Sequence, residues 1–362
     1  MATRNRPKIL YGVHGYGRGH AVRAQALLGE LTRAYNVLVL AGDDAYDQLH
    51  KDYRVVRIPA LRYYHNKRGR RSAWLTIRRN APAVLDLLLG GPVFHMVRRE
   101  IERFAPDAVL SDSEGWTHRA ARALGIPRIS FDHYGIMAYC PLKMSPGDRL
   151  ICRLESLAYR MLVCNPERII VTAFYRAKPR RPGTLKVVGP ILRPEVRRGR
   201  PADGEHLLVY FANAPVHFTP HIEEALRKLN RPVKVYGPDR VGAAGNIEFC
   251  RIADLPFVRD LASCRAVFST AGNQLISEAI HFHKPLLLMP EKALEQRLNA
   301  QFVHEWQVGM RTRPARVSVE LLRRFLDRTD EFAANMRSHR RDGLAEALAA
   351  VNQAMAELAT GS

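Results

Sequence analysis

The sequence lacks several features that would settle its class at once. No stretch of about 18 apolar residues is present, so no segment reads as a membrane-spanning helix. The longest candidate, Val84 to Val97, is broken by Gly90-Gly91-Pro92. The basic start runs straight into an apolar strand, without the apolar centre of a secretory leader. No CxxC pair occurs. The five cysteines, Cys140, Cys152, Cys164, Cys250 and Cys264, are scattered and odd in number. That argues against a disulfide framework or a zinc site and fits a reducing cytoplasm. Acidic residues are scarce: 35 Asp and Glu stand against 56 Lys and Arg, for a net charge of +21. Such a field attracts nucleic acid, anionic lipid headgroups or phosphorylated substrates. The alternative is an arginine-rich surface with no ligand. No short-period repeat or low-complexity segment is found.

What is present describes two globular domains. The 362 residues are 47% apolar, enough for two cores. Lys8 to Val13 reads as a buried strand, His14 to His20 as a glycine loop, Ala21 to Ala34 as a helix and Asn36 to Leu40 as a second strand. This strand-loop-helix-strand opening predicts a parallel, doubly wound α/β sheet. The alternation continues through strands at 106–110, 127–131, 168–172 and 185–188. A Pro-, Gly- and Arg-rich stretch from Gly189 to Gly204 reads as a linker. Strands and helices then alternate again from His206 to Met289, and Val319 to Leu358 has a helical pattern. The expected division is residues 1–188 and 189–362, with the final helix able to return to the first domain.

Four places carry candidate chemistry. The loop Gly15-Tyr-Gly17-Arg-Gly19-His20 follows the first strand, where glycines let backbone approach a ligand. Its spacing is not the GxGxxG of dinucleotide binding. His20, at the entry to the helix, is a candidate general base or a packing residue, and His14 is its weaker rival. Ser111-Asp112-Ser113-Glu114 ends another strand. Asp112 either orients a histidine or caps the following helix. Asp132-His133-Tyr134 ends a third strand, and all three ends belong to one expected crevice. The fourth place, Ser269 to Asn299, reads as strand, glycine turn, helix, strand, loop, helix. Its turn, Thr270 to Gln274, offers helix-start amides suited to a diphosphate. Glu278 is placed to accept ribose hydroxyls, and Glu295 with Gln296 to accept those of a sugar.

In this segment the order Gly272, Glu278-Ala279, Lys284-Pro285, Glu295-Gln296, Asn299-Ala300 resembles the nucleotide-sugar glycosyltransferases of the GT-B fold. It looks closest to the bacterial and archaeal branch near the undecaprenyl-muramyl-peptide GlcNAc transferase and the diacylglycerol glycosyltransferases. Gly19-His20 and the strand end Ser111-Asp112 agree with the family's first half. The resemblance implies two Rossmann-like domains facing across a cleft. It implies His20 as catalytic base and Asp112 as its partner acid. Gly17, Gly19, Asp132 and His133 fall on the acceptor side. Thr270, Gly272, Asn273 and Gln274 match the phosphate loop, Glu278 the ribose ligand, and Glu295 with Gln296 the sugar ligands. Three departures stand out. Thr270 replaces a cationic or histidine ligand, His281-Phe282-His283 replaces small residues, and Glu295 replaces aspartate. His281 and His283 read as packing or surface residues rather than metal ligands, since no third ligand is apparent.

The segment Arg62 to Asn80 holds seven Lys and Arg, no acid, and Tyr63, Tyr64 and Trp74. It reads as a contact for an anionic membrane surface, or as a solvated loop with Trp74 facing the core. Nucleic acid is the least expected partner. The expectation is an inverting, metal-independent enzyme without cofactor, using a UDP-sugar or a related donor. Its acceptor would be a small molecule, a glycan or a lipid-linked hydroxyl. The location would be cytoplasmic, with possible attachment at the inner face of the membrane. Rival readings are a nucleotide-sugar 2-epimerase or hydrolase of the same fold, and a non-enzymatic polyanion- or membrane-binding protein.

Overall fold

The computed structural model describes residues 6–66 and 72–360. The chain divides into two compact units, Met1–Arg193 with Gly343–Ser362, and Pro194–Asp342.

In the first unit, apolar β1 (Lys8–Val13) leads into α1 (Arg18–Ala34), β2 (Asn36–Ala41), α2 (Asp43–Leu49) and β3 (Val55–Arg57). Then come α3 (Ala73–Leu89), α4 (Pro92–Phe104), β4 (Ala108–Asp112), α5 (Gly115–Ala123) and β5 (Arg128–Asp132). The helices α6 (Gly135–Tyr139) and α7 (Pro146–Val163) precede β6 (Arg168–Thr172) and β7 (Leu185–Val188). The sheet order is β3-β2-β1-β4-β5-β6-β7, and every pairing is parallel. Alternate strand residues point to opposite faces. Ile9, Tyr11 and Val13 face a core built with α1 and α2, while Leu10, Leu38 and Val109 face one that includes Leu87, Val97, Ile101 and Trp116. Each fully buried side chain of this kind contributes roughly 1.5–3 kcal/mol. Between β1 and β4 the strand order reverses, which is where open α/β sheets bind ligands.

The second unit starts with α8 (Pro194–Arg198), then β8 (Leu207–Tyr210), α9 (Ala214–His217), α10 (Pro220–Arg227) and β9 (Val233–Tyr236). The edge strand β10 (Gly242–Ala244), β11 (Ile247–Cys250), α11 (Asp254–Ser263) and β12 (Ala266–Ser269) follow. Next are α12 (Asn273–His281), β13 (Leu286–Leu288), α13 (Leu294–Glu305), β14 (Gly309–Arg311), α14 (Val319–Asp327) and α15 (Thr329–Met336). Its order is β10-β11-β9-β8-β12-β13-β14, parallel except for β10. Here the reversal lies between β8 and β12.

The last helix, α16 (Leu344–Thr360), belongs to the first unit. Its Leu344, Ala347, Val351 and Ala354 join the core that holds Ala24 and Leu27 of α1. Gly343 donates to the Pro190 carbonyl at 2.8 Å. A Cβ on Gly343 would stand 2.0 Å from the Gly189 oxygen, so only glycine lets the two strands of chain meet. The observed break lies at Arg193, within the stretch read as a linker.

The structure corrects one reading of the basic segment. From Ala73 it is helical, and Trp74 is 63% exposed rather than facing the core. Ser72 caps α3 by accepting from the Leu75 amide. Gly90, at φ 78, ends it. Lys67 to Arg71 lie outside the described residues.

Candidate functional site

The reversal point of the first unit gathers the three polar strand ends, because β1, β4 and β5 are neighbours in its sheet. Beyond β1 the backbone is held close: the His14 amide donates to the Asp112 carbonyl at 2.9 Å. Gly17, at φ 97, is the cap residue of α1, and its amide donates to Asp44 Oδ2 at 3.1 Å. The turn places His20 in the first turn of α1 with Nδ1 2.8 Å from Asp112 Oδ1. Asp112 is fully buried at the end of β4, and His20 is about a quarter exposed. Nδ1–H donates to the carboxylate, which orients the ring and leaves Nε2 as the nitrogen free of this bond.

A third residue completes this cluster. Arg23, one turn along α1, donates from Nε to Asp112 Oδ2 at 2.8 Å and from Nη2 to Oδ1 at 2.5 Å. It is 4% exposed. Burial alone would raise the Asp112 pKa, but the Arg23 charge and the His20 pair override it and hold it at about 2. The carboxylate is therefore ionised throughout the neutral range. His14 lies edge-on to His20, with ring centroids 5.0 Å apart. Burial, reinforced by His20, lowers its pKa to about 3 and keeps it neutral.

The neighbouring groups have other work. The cap of α5 is Glu114, which accepts from the Trp116 and Thr117 amides at 3.0 and 2.6 Å. Asp112 is thus not a helix cap. Asp132 is buried and accepts from the Gly135 amide, Ser113 Oγ and Tyr159 Oη, at 2.7, 3.0 and 2.5 Å. Burial raises its pKa. His133 Nδ1 donates to the Thr172 carbonyl at 2.7 Å.

In the second unit the turn Thr270 to Gly272 joins β12 to α12. No side chain caps the helix at Gly272. Asn299 Nδ2 donates to the Ala271 carbonyl at 3.0 Å and pins the turn from α13. Asn273 Oδ1, buried in the first helical residue, has no hydrogen-bond partner among the described residues. The uncapped start offers amide donors to an anionic ligand, while the orphaned Asn273 Oδ1 is an acceptor open to a hydroxyl or N–H. Glu278 is fully buried and accepts from Gln274 Nε2 at 2.9 Å. To serve a ribose it has to exchange that amide for hydroxyls. Gln296 Oε1 accepts from the Glu291 amide at 2.9 Å, while Glu295 lies half-buried in the first turn of α13.

One pair here escaped the sequence reading. His217, the last residue of the short helix α9 after β8, meets Glu291, after β13, with Nε2 and Oε1 3.0 Å apart. The available signal was position: a histidine after the first strand of the second sheet, as His14 and His20 follow the first strand of the other. His281 packs beside Arg340, whose Nη2 is 3.2 Å from its Nε2, and burial lowers its pKa to about 4. Lys284 donates to the Ala202 carbonyl at 2.7 Å, a structural use of the Lys-Pro element. All five cysteines are free thiols. Among the described residues no cluster of three or more His, Cys, Asp or Glu is arranged to hold a metal.

Solved structures share this architecture. The glycotransferase of kitacinnamycin superposes with a TM-score of 0.71 at 18% identity, covering 97% of this chain and 99% of its own. MurG of Acinetobacter baumannii gives 0.61 at 16%, covering 96% and 99%. A UDP-glucosyltransferase from Polygonum tinctorium, capable of glucosylating indoxyl, gives 0.69 at 13%, covering 99% of both chains. At these identities the likeness is one of fold, the two Rossmann-like domains of GT-B. Among curated protein sequences none matches. The sequence profile described as glycosyl transferase family 1 matches residues 7–330, most of the chain. With both sheets ending in polar loops at their reversal points, the chain belongs to glycosyl transferase family 1 and is a glycosyltransferase.

Proposed function

We propose that the chain moves a hexose-type sugar from a nucleotide-sugar donor to a hydroxyl acceptor, with inversion and without a metal. The observation that carries this reading is the His20–Asp112 pair, 2.8 Å apart, with Arg23 bonded to both oxygens of the same carboxylate. His20 Nε2 takes the acceptor's hydroxyl proton. The acceptor oxygen forms a bond to the anomeric carbon as the bond from that carbon to the phosphate oxygen breaks. Asp112 stabilises the imidazolium that results, and Arg23 is a positioning residue that keeps Asp112 ionised and aimed. The nucleoside diphosphate departs onto the α12 start, where Thr270, Gly272, Asn273 and Gln274 offer backbone and amide donors. Glu278 serves the ribose, and Glu295 with Gln296 the sugar. Gly17, Gly19, Asp132 and His133 shape the acceptor side, Asp132 chiefly by holding the Ser113 turn. UDP-sugars are the first donors to examine, given that one structural relative is a UDP-glucosyltransferase.

The test is turnover of UDP-, dTDP- and GDP-sugars with candidate acceptors, preceded by thermal shift with each nucleotide. Stabilisation by a nucleotide sugar and transfer that needs an acceptor support the reading. Conversion of the donor alone to an isomer or free sugar would instead establish the epimerase or hydrolase reading.

A further inference from the structure

We propose that the exposed faces of α3 and α7 in the first unit form a docking surface for an anionic bilayer leaflet.

Among the described residues thirteen large apolar side chains are exposed, and ten of them lie on these two helices. That concentration calls for a cause, since singly scattered apolar residues are ordinary and a contiguous patch is not. On α7 the buried positions are Cys152, Ser156, Tyr159 and Val163, at helical spacing. The opposite face exposes Leu150, Leu154, Leu157 and Met161. This helix has a core seam and a second apolar stripe that the fold leaves uncovered. On α3 only Leu87 is fully buried, while Trp74, Ile77, Leu85 and Leu89 are 54–79% exposed.

Both helices pack against the start of α5. A Cβ built on Gly115 would touch Leu87 Cδ2 at 3.0 Å and Leu162 Cδ2 at 3.9 Å. Near their C-terminal ends lies a groove of about 480 Å³, lined by Leu88, Leu89, Phe94, Arg119, Arg122 and Cys164. Arg119 Nη2 donates to the Met161 carbonyl at 2.8 Å, and its Nε has no hydrogen-bond partner among the described residues.

Charge selects the occupant. Arg78 and Arg79 on α3 and Arg149, Arg153 and Arg160 on α7 are all exposed, and neither helix carries an exposed acid. Asp86 is tied to the amides of Val93 and Phe94, and Glu155 accepts from Tyr134. Apolar side chains interleaved with five exposed arginines, against one further part-exposed acid, Asp148 in the first turn of α7, match an anionic lipid surface, into which helices insert an apolar face while cations meet phosphates. A second copy of the chain fits poorly, because a two-fold contact would bring the arginines of both copies together. Arg78 lies over the Trp74 ring at 4.8 Å, a pairing of cation and aromatic suited to the headgroup layer.

The contact is superficial. Among the described residues no single helix is long and apolar enough to cross a membrane. The pair α3–α4 reaches that length and composition only across a 48° bend. Val97, Ile101 and Phe104 of α4 are committed to the core. The chain therefore lies on the leaflet by α3 and α7.

The test is co-sedimentation of the full chain with phosphatidylcholine vesicles, with and without phosphatidylglycerol, in the absence of any sugar donor. It is thus independent of the catalytic reading. The parent protein is expected to partition onto the anionic vesicles and to release as salt is raised. Ile77→Glu combined with Leu154→Glu is expected to weaken partition by about tenfold or more, since two apolar anchors are lost and two charges added. Both positions are exposed, so the melting temperature should hold, and Arg78→Gln with Arg153→Gln gives a second, milder loss. Absence of binding to anionic vesicles overturns the proposal, as does equal binding by the Glu variant. Sedimentation velocity showing a dimer that the same variant dissolves, without vesicle binding, would assign the surface to a second copy instead.

Discussion

The two units solve the same topological problem with different electrostatics. Each has a parallel sheet whose order reverses at one point, β1/β4 in the first and β8/β12 in the second. In the first the loops converge on a buried charge cluster, Arg23–Asp112–His20. In the second they converge on a turn, a helix start and a largely buried histidine–carboxylate pair, His217–Glu291. In the first site the Asp112 carboxylate and the Arg23 guanidinium are buried together, so removing either leaves the other uncompensated and the site is costly to disturb. In the second the turn and the α12 start offer backbone amides to an anion, and the buried Glu278 is held one turn on by the neutral Gln274 amide. The difference assigns proton transfer to the first unit and donor binding to the second in the proposed reaction.

The largest expected effect separates the two sites by stability. Asp112→Ala leaves the Arg23 guanidinium buried and unpaired and should cost about 3–5 kcal/mol in urea unfolding. Glu291→Ala removes one contact to a histidine and leaves no buried guanidinium behind, so it should cost about 0.5–1.5 kcal/mol. Comparable losses at both would erase the contrast. The pH dependence sharpens it. Asp112 is held at about 2 against an ordinary 3.8. Its contribution, on the order of 2 kcal/mol, is thus present above pH 4 and lost as pH falls from 4 toward 2. Urea midpoints across that range should drop for the parent and much less for Asp112→Asn.

Smaller effects divide binding from turnover. Glu278→Ala should weaken nucleotide affinity about tenfold, near 1.4 kcal/mol, measured by calorimetry. Unchanged affinity would remove Glu278 from the ribose. Arg23→Gln should lower kcat several-fold while leaving nucleotide affinity unchanged, because Arg23 acts through Asp112; loss of affinity instead would place Arg23 in donor binding.

Much of this was legible in the sequence, for identifiable reasons. Buried strands such as Leu207–Tyr210 and Ala266–Ser269 are short apolar runs flanked by turn residues, and the alternation with helices dictates a parallel sheet. His20 and Asp112 could be singled out because each sits where a strand ends. Whether they meet could not be read, since the pairing of β1 with β4 brings together residues 92 apart in the chain. Arg23 stayed hidden for a different reason: an arginine one turn into a helix looks like any solvent-facing residue. The stripe on α7 misleads in the opposite sense, because Leu150, Leu154 and Leu157 have the spacing of a core seam and yet face outward. Hydrophobic periodicity reports that a face is apolar, not what covers it.

The proposed role of His20 as the base can be tested directly. His20→Ala should lower transfer by about 10²–10⁴, while nucleotide stabilisation of the variant matches that of the parent. Retained transfer at the parental rate would contradict the claim and move the chemistry away from the first unit's charge cluster.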